Sequence, residues 1–191
     1  PSILQIPPLV VSLPADISTA AFLIVAALVT PGSELVLRNV GLNPTRTGLI
    51  DVLLGMGADL QVQKKPQQGG EPVGDLIVRA SSLKGIEVSG PTVVRMIDEF
   101  PAFSVAAAYA NGATVVRDAQ ELRYKESDRL QVMCTQLRLL GVHVHETEDG
   151  FVMLGGELDS GLVCAEGDHR LAMSLAVAGL ASRGIVTVQG A

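Results

Sequence analysis

The amino-acid sequence predicts an α/β fold built from repeated units, with buried Ala-rich helices surrounded by sheets. Three similar segments predict it, each running from an acidic residue through an Ala-rich apolar stretch to a glycine and a β-branched stretch. They start at Asp16, Asp98 and Asp168. Two of them continue with the same further elements. The chain is 48% hydrophobic but only 3% aromatic, so Ala, Val and Leu must fill the core.

The first segment shows how its elements are predicted. Asp16 can accept hydrogen bonds from the free N–H groups of a first helical turn, and Gly32 can end the helix. Residues 35–37 then read as a strand. After Asn39 come a polar loop, a second helix that ends at Gly57, and two further apolar stretches typical of strands. Those stretches are 60–62 and 76–78.

The second segment repeats this order through Asp118 and a second helix that ends at Gly141. The third stops after its first strand, at 186–188. Such alternation predicts Ala-rich helices inside and the second helices outside. We expect one domain over residues 1–191, with repeats at about 14–80, 81–155 and 160–191, the third of them truncated.

Composition and charge exclude several classes of protein. The formal net charge of -6 argues against nucleic-acid binding, which depends on clustered Lys and Arg. The longest apolar run, 20–29, is about half of the roughly 20 residues that a membrane span needs, so a buried helix is expected. Cys134 and Cys164 have no metal-ligand or redox spacing, and no signal peptide opens the chain, so we expect a cytoplasmic protein. An extended stretch is predicted at Pro1, Pro7 and Pro8.

A charged run at 123–129 precedes the second helix of the middle unit. Ser127 or Asp128 can cap that helix, which gathers Lys125, Glu126 and Arg129 around its positive end. One interpretation is a site for an anionic ligand. The other, a charged and solvated helix start, is favoured by the spacing alone.

A second cluster, 167–170, leads into an apolar helix. Arg170 can hold a phosphate or carboxylate in a bidentate fork, with His169 as a possible supporting donor. The alternative is that Asp168 is simply a cap and Arg170 a first-turn residue. An arginine there opposes the helix dipole, however, and Arg129 does the same. These two arginines therefore suggest a clamp for an anion.

Other polar residues leave alternatives open. Asp98 stands where Asp16 and Asp168 stand, so capping explains it as well as catalysis does and is favoured by the residues. His143 and His145 lie on one face of a strand, which predicts a solvated face rather than a metal site. No P-loop, dinucleotide fingerprint or nucleophile elbow occurs, and we expect neither a metal nor a cofactor.

Four stretches of the chain resemble the 5-enolpyruvylshikimate-3-phosphate synthase family, whose members are 3-phosphoshikimate 1-carboxyvinyltransferases. They are 37–46, 97–101, 122–130 with Lys-Glu-Ser-Asp-Arg, and 167–170 with Gly-Asp-His-Arg. They span nearly the whole chain in the family's order. The resemblance implies an enolpyruvyl transferase-like domain, an inverse α/β barrel of βαβαββ units. It also implies that this chain is the C-terminal domain of a two-domain enzyme, incomplete at both ends.

The resemblance implies transfer of the enolpyruvyl group of phosphoenolpyruvate to the 5-hydroxyl of shikimate 3-phosphate. Asp98 would take the hydroxyl proton, and Glu126 would protonate the methylene carbon of phosphoenolpyruvate. Lys125, with Asp98, would contact shikimate 3-phosphate, while Arg129 and Arg170 would bind phosphoenolpyruvate. The N-terminal domain of the same polypeptide would be the partner, and the full-length protein is expected to be monomeric. The isolated chain is expected to be inactive.

The chain departs from the family pattern in two ways. Ala15 stands where the family usually has glycine, which puts the turn before the first buried helix in doubt. The family's other catalytic and phosphoenolpyruvate-binding lysines are expected outside this chain. Two alternatives remain open: a UDP-sugar enolpyruvyl transferase of the same fold, and a non-catalytic module for anion binding or assembly.

Overall fold

The structure is a computed structural model that describes residues 11–191. The extended stretch predicted at Pro1, Pro7 and Pro8 lies outside the described residues. The helices are α1 (Ile17–Val29), α2 (Gly48–Gly55), α3 (Pro91–Val94), α4 (Phe100–Ala108), α5 (Arg129–Leu139) and α6 (His169–Ala178). The strands are β1 (Glu34–Gly41), β2 (Asp59–Gln68), β3 (Glu71–Arg79), β4 (Glu87–Val88), β5 (Ala113–Val116), β6 (His143–Glu146), β7 (Phe151–Leu154), β8 (Gly161–Cys164) and β9 (Val186–Gln189).

The order of these elements repeats along the chain, which confirms the predicted α/β class. The first unit runs α1, β1, α2, β2, β3. The second runs β4, α4, β5, α5, β6, β7, with the short α3 and two 3₁₀ turns between them. The third contains β8, α6 and β9. Each apolar, Ala-rich stretch of the sequence is the first long helix of its unit.

In the part of the chain that the structure describes, three separate sheets accompany the three units. The first has the order β1-β3-β2 and is antiparallel throughout. The second has the order β4-β5-β7-β6, in which β4 and β5 are parallel and the other pairs antiparallel. The third pairs β8 with β9 in parallel. The second and third units thus share the parallel strand pair that precedes and follows their Ala-rich helix.

The Ala-rich helices α1, α4 and α6 pack against one another in the middle of the protein. Every residue of α4 is buried, and its small side chains let the neighbouring helices approach closely. The helices α2 and α5 lie outside this group, α2 against β2 and α5 against β6 and β8. The inner and outer positions of the two kinds of helix are therefore as the sequence predicts.

The N-terminal ends of the three inner helices meet at one place. The hydroxyl of Ser18, in the first turn of α1, donates a hydrogen bond of 2.5 Å to Oε1 of Glu99, directly before α4. The guanidinium of Arg170, in the first turn of α6, donates to the carbonyl oxygen of Asp98 over 3.2 Å. Free N–H groups and positive dipole ends are consequently concentrated at this end of the molecule.

Three of the predicted caps are present, and one is wrong. Asp16, Asp128 and Asp168 each accept a hydrogen bond from a first-turn N–H of their helix. Asp98 does not cap α4, because it lies in a 3₁₀ turn (Ile97–Glu99) that leads directly into the helix. The proline at Pro101 explains the difference, since it carries no N–H that a cap would need to satisfy.

The turn before α1 accommodates Ala15 without strain. Outside the glycines, positive φ angles in residues 11–191 occur at Asn39, Asp118 and Glu166, and Ala15 does not share them. Its backbone instead forms a parallel bridge to Val40. The doubt raised by the missing glycine is therefore removed.

Other expectations concern membranes, metals and thiols. In the part of the chain from residue 11 onward, no helix combines the length and apolarity needed to cross a bilayer. The described residues also contain no group of three or more His, Cys, Asp or Glu side chains suited to a metal ion.

His143 and His145 are exposed on β6, as predicted for a solvated strand face. Cys134 and Cys164 are free thiols, and burial raises the pKa of Cys134 to about 12.

Candidate active site

The structure brings the predicted site residues together where the inner helices begin. Lys125 Nζ lies 3.8 Å from Oδ1 of Asp98, and Arg46 Nη2 lies 3.9 Å from Oδ2. Arg170 contacts the backbone carbonyl of the same residue. Among residues 11–191, no hydrogen bond reaches the Asp98 carboxylate, which is one-third exposed. That carboxylate therefore faces cations on both sides while its oxygens stay available to a hydroxyl group.

Lys125 follows a 3₁₀ turn (Gln120–Tyr124) that carries it toward Asp98. Its ammonium group also lies 3.0 Å from Glu121 Oε1. Because Glu121 is exposed, this ion pair contributes little to stability and can exchange for another anion. Lys125 thus places a positive charge beside a carboxylate that caps no helix.

The sequence places Arg129 in a charged helix start, where an exposed side chain is expected. In the structure only 2% of its side chain is exposed. Its Nε lies 2.8 Å from Oδ2 of Asp168, which is equally buried, and its Nη2 lies 2.5 Å from Oε2 of Glu126. The hydroxyl of Ser127 also donates to Asp168, over 3.2 Å. The guanidinium is therefore held by two carboxylates and is not open to solvent. More than half of the Glu126 side chain is exposed, so this carboxylate is the one that can leave.

Asp168 has a second role that sequence reasoning missed. It caps α6 through Oδ1, which accepts from the N–H groups of Arg170 and Leu171, and it also holds Arg129. Burial by itself raises the pKa of Asp168, but the hydrogen bond and charge of Arg129, together with the backbone N–H groups of Arg170 and Leu171, outweigh burial, so the pKa lies below its usual value. An arginine in the first turn of a helix opposes the helix dipole and therefore needs a negative partner. That need is the one feature of the sequence that points to a contact between Arg129 and an acidic residue.

Arg123 is another residue whose role was missed, and it fastens the loop that carries Lys125. Its guanidinium donates to Asp128 and Glu146, each over 2.9 Å, and to the carbonyl oxygens of Thr147 and Glu148. These bonds join the start of α5 to the turn between β6 and β7. In the sequence, Arg123 is simply one more basic residue of a charged run.

His169 and Arg170 occupy the first turn of α6, next to this cluster. Arg170 is partly buried and reaches Asp98, as described above. His169 is exposed, and its side chain makes no hydrogen bond or ion pair to another described residue. The supporting role of His169 stays a prediction.

Arg46, Ser18 and Glu99 extend the cluster toward the first unit. Nη2 of Arg46 donates to the Ser18 hydroxyl over 2.7 Å and lies 3.6 Å from Oε1 of Glu99. Glu99 is 1% exposed. Burial raises the pKa of Glu99, and the Ser18 hydrogen bond and the charge of Arg46 offset this only in part.

The raised pKa of Glu99 predicts how stability depends on pH. The folded chain binds the Glu99 proton more tightly than the unfolded chain, so this residue's contribution to stability falls as pH rises from the unfolded pKa through the folded one. The advantage of wild type over Glu99→Gln should therefore shrink or reverse as pH rises from about 4, the ordinary pKa of a glutamate, toward neutral. Urea unfolding of both proteins across this range measures the difference.

Glu87→Gln is the matched control, because the carboxylate of Glu87 is exposed. We expect the difference in stability between wild type and Glu87→Gln to lack the change with pH that burial causes at Glu99. If the difference in unfolding free energy between wild type and Glu99→Gln stayed constant or grew with pH, the pKa of Glu99 would not be raised by burial.

The chain matches known proteins along nearly all of its length. A sequence model of the EPSP synthase family, described as 3-phosphoshikimate 1-carboxyvinyltransferase, matches residues 5–191. A 3-phosphoshikimate 1-carboxyvinyltransferase of Geotalea uraniireducens is 55% identical over 179 residues, which cover 93% of this chain and 42% of that protein. One from Geobacter metallireducens is 56% identical over 176 residues, covering 92% and 41%. This chain thus spans about 42% of the length of such relatives.

Solved structures agree with the sequence matches. An EPSP synthase of Acinetobacter baumannii superposes with a TM-score of 0.91 at 46% identity, over 94% of this chain and 42% of that one. The enolpyruvyl transferase NikO of Streptomyces tendae, at 20% identity and a TM-score of 0.67 over 93% of this chain and 39% of that one, shares the fold. The predicted resemblance is confirmed: this chain belongs to the EPSP synthase family, the 3-phosphoshikimate 1-carboxyvinyltransferases.

Proposed function

We propose that this chain forms one wall of the active site of an enzyme that transfers the enolpyruvyl group of phosphoenolpyruvate to the 5-hydroxyl of shikimate 3-phosphate. The products are 5-enolpyruvylshikimate 3-phosphate and phosphate. One observation carries the proposal. Residues as far apart as Asp98 and Arg170, 72 positions along the chain, meet with Lys125 at the joined ends of three buried helices.

In the first half of the proposed reaction, two carboxyl groups move two protons. Asp98 accepts the proton of the 5-hydroxyl while the hydroxyl oxygen bonds to C2 of phosphoenolpyruvate. Glu126, in its protonated form, gives its proton to the methylene carbon, which becomes a methyl group. Two differently placed carboxyl groups suit such an addition, since one proton must leave and another must arrive.

In the second half, the adduct loses phosphate. Glu126 takes a proton back from the methyl carbon, the bond between C2 and the phosphate oxygen breaks, and the departing phosphate takes the proton from Asp98. Both carboxyl groups then return to their starting states, and no cofactor is required. Lys125 and Arg170 offset the negative charge of the two substrates during both halves.

The pairing of Arg129 with Glu126 fits this sequence of events. Glu126 must leave the guanidinium to reach the methylene carbon, and its exposed side chain allows that movement. The phosphate or carboxylate of phosphoenolpyruvate can then take its place on Arg129. Asp168 stays paired meanwhile and keeps Arg129 in position.

The N-terminal domain of the same polypeptide is proposed to supply the opposite wall. Catalysis needs both walls to close around the substrates and exclude water, so the isolated chain is expected to be inactive. A full-length protein that is monomeric and cytoplasmic fits this arrangement. A UDP-sugar acceptor is less favoured, because the 55% identical relative carries the shikimate-type name.

A chimera tests this proposal. The matched 179 residues of the Geotalea uraniireducens relative are replaced by this chain, and the chimera is expressed in bacteria that lack the enzyme and require aromatic amino acids. We expect the chimera to restore growth without those amino acids. This chain alone and the chimera with Glu126→Gln are the controls and should not restore it. A folded, soluble chimera that fails to restore growth would contradict the proposal.

A further inference from the structure

We propose that Arg46 is a positioning residue that holds Asp98 for proton transfer and is itself held by Ser18 and the buried Glu99. This inference rests on the proposed function. It adds a residue of the first unit to a site otherwise made from the second and third.

Arg46, whose side chain is 45% exposed, is held at its tip by a short chain of contacts that starts in the core. The buried Glu99 accepts a hydrogen bond from the Ser18 hydroxyl over 2.5 Å, and the Ser18 oxygen accepts one from Nη2 of Arg46 over 2.7 Å. Ser18 is 3% exposed, so neither of these two partners can move far. Nη2 is thereby placed 3.6 Å from Glu99 and 3.9 Å from Asp98.

The internal repeat gives independent support for this role. In the second unit, Arg129 at the start of the outer helix reaches Asp168, which precedes the inner helix of the next unit. In the first unit, Arg46 lies just before the outer helix and reaches Asp98, which precedes the inner helix of its next unit. The repeat therefore uses the same arginine-to-acid link twice.

The two links differ in the freedom of the carboxylate. Asp168 is fully buried and anchored by the backbone of α6, whereas Asp98 is one-third exposed and caps no helix. Within residues 11–191, its carboxylate makes no hydrogen bond and lies between two cations, Lys125 near Oδ1 and Arg46 near Oδ2, with Glu99 beside Arg46. Without Arg46, the carboxylate can turn away from the position that a substrate hydroxyl requires.

The test uses the chimera described above. Arg46→Gln should lower kcat about 10- to 100-fold, because misplacing a reacting group by about 1 Å can cost that much, while the KM for phosphoenolpyruvate changes little. Arg46→Lys keeps a charge near Asp98 and should restore part of kcat. Ser18→Ala removes the hydrogen bond from Arg46 together with the one that Ser18 donates to Glu99, but it leaves the charge of Arg46 in place, so its kcat should fall between those of wild type and Arg46→Gln.

Arg95→Gln is the matched control, because Arg95 braces the same loop through the carbonyl oxygen of Pro44 and through Asp51 without reaching Asp98. It should keep the wild-type kcat. Unchanged kcat in a folded Arg46→Gln chimera, or equal losses in both variants, would overturn the inference. The proposed function would still hold in those cases if the wild-type chimera is active and Glu126→Gln inactivates it. A folded but inactive wild-type chimera would contradict both.

Discussion

Replacement of Asp168 by alanine is expected to lower the free energy of unfolding by about 3–5 kcal/mol, a large share of the stability of a domain this size. The substitution leaves the guanidinium of Arg129 buried, with only the exposed Glu126 as a partner. It also removes the cap of α6. Urea denaturation of the 191-residue chain, followed by circular dichroism, measures the loss.

Asp16→Ala separates the two contributions. Asp16 caps α1 in the same way but is exposed and holds no buried arginine, so its loss should cost only about 1 kcal/mol. Adding Arg129→Met to Asp168→Ala should recover part of the stability, because the unpaired buried charge is removed. Equal losses for Asp168→Ala and Asp16→Ala would show that the buried ion pair adds nothing to stability beyond the helix cap.

Glu126→Gln in the chimera is expected to reduce kcat by about 10²–10⁴-fold, the usual contribution of a general acid or base. Glutamine keeps the shape of glutamate but cannot deliver a proton to the methylene carbon. Stability should change little, because the buried Arg129 keeps its pair with Asp168 and the Glu126 side chain is 55% exposed. Steady-state kinetics with both substrates, together with the urea midpoint, distinguishes the two effects.

Glu34→Gln is the matched control, because Glu34 is an exposed carboxylate on β1 that pairs with Arg79. It should keep wild-type kcat. If Glu126→Gln retained more than about a tenth of wild-type kcat, a loss far below that of a general acid, Glu126 would not be the proton donor.

The fold could largely be predicted because its determinants are local. An acidic cap, apolar residues three and four apart and a final glycine specify a helix without reference to distant parts of the chain. Asp16 and Asp168 confirm this, since each caps the helix that follows it. Ala-rich composition also indicated correctly which helices lie inside, because small side chains permit close packing of helices.

The site could be predicted only in part, because its contacts are not local. Asp98 has the same sequence signal as the two true caps, yet a proline and a 3₁₀ turn leave its carboxylate free to face Lys125. The burial of Arg129 depends on Asp168, 39 positions away, and no spacing rule indicates that contact. The resemblance named residues that the structure brings together, whereas the geometry gives each of them its partners.

The rate of phosphate release by the wild-type chimera tests the central claim most directly. We expect release only when phosphoenolpyruvate and shikimate 3-phosphate are both present, with 5-enolpyruvylshikimate 3-phosphate formed in equal amount. Release from phosphoenolpyruvate alone, or transfer to a UDP-sugar in place of shikimate 3-phosphate, would contradict the account.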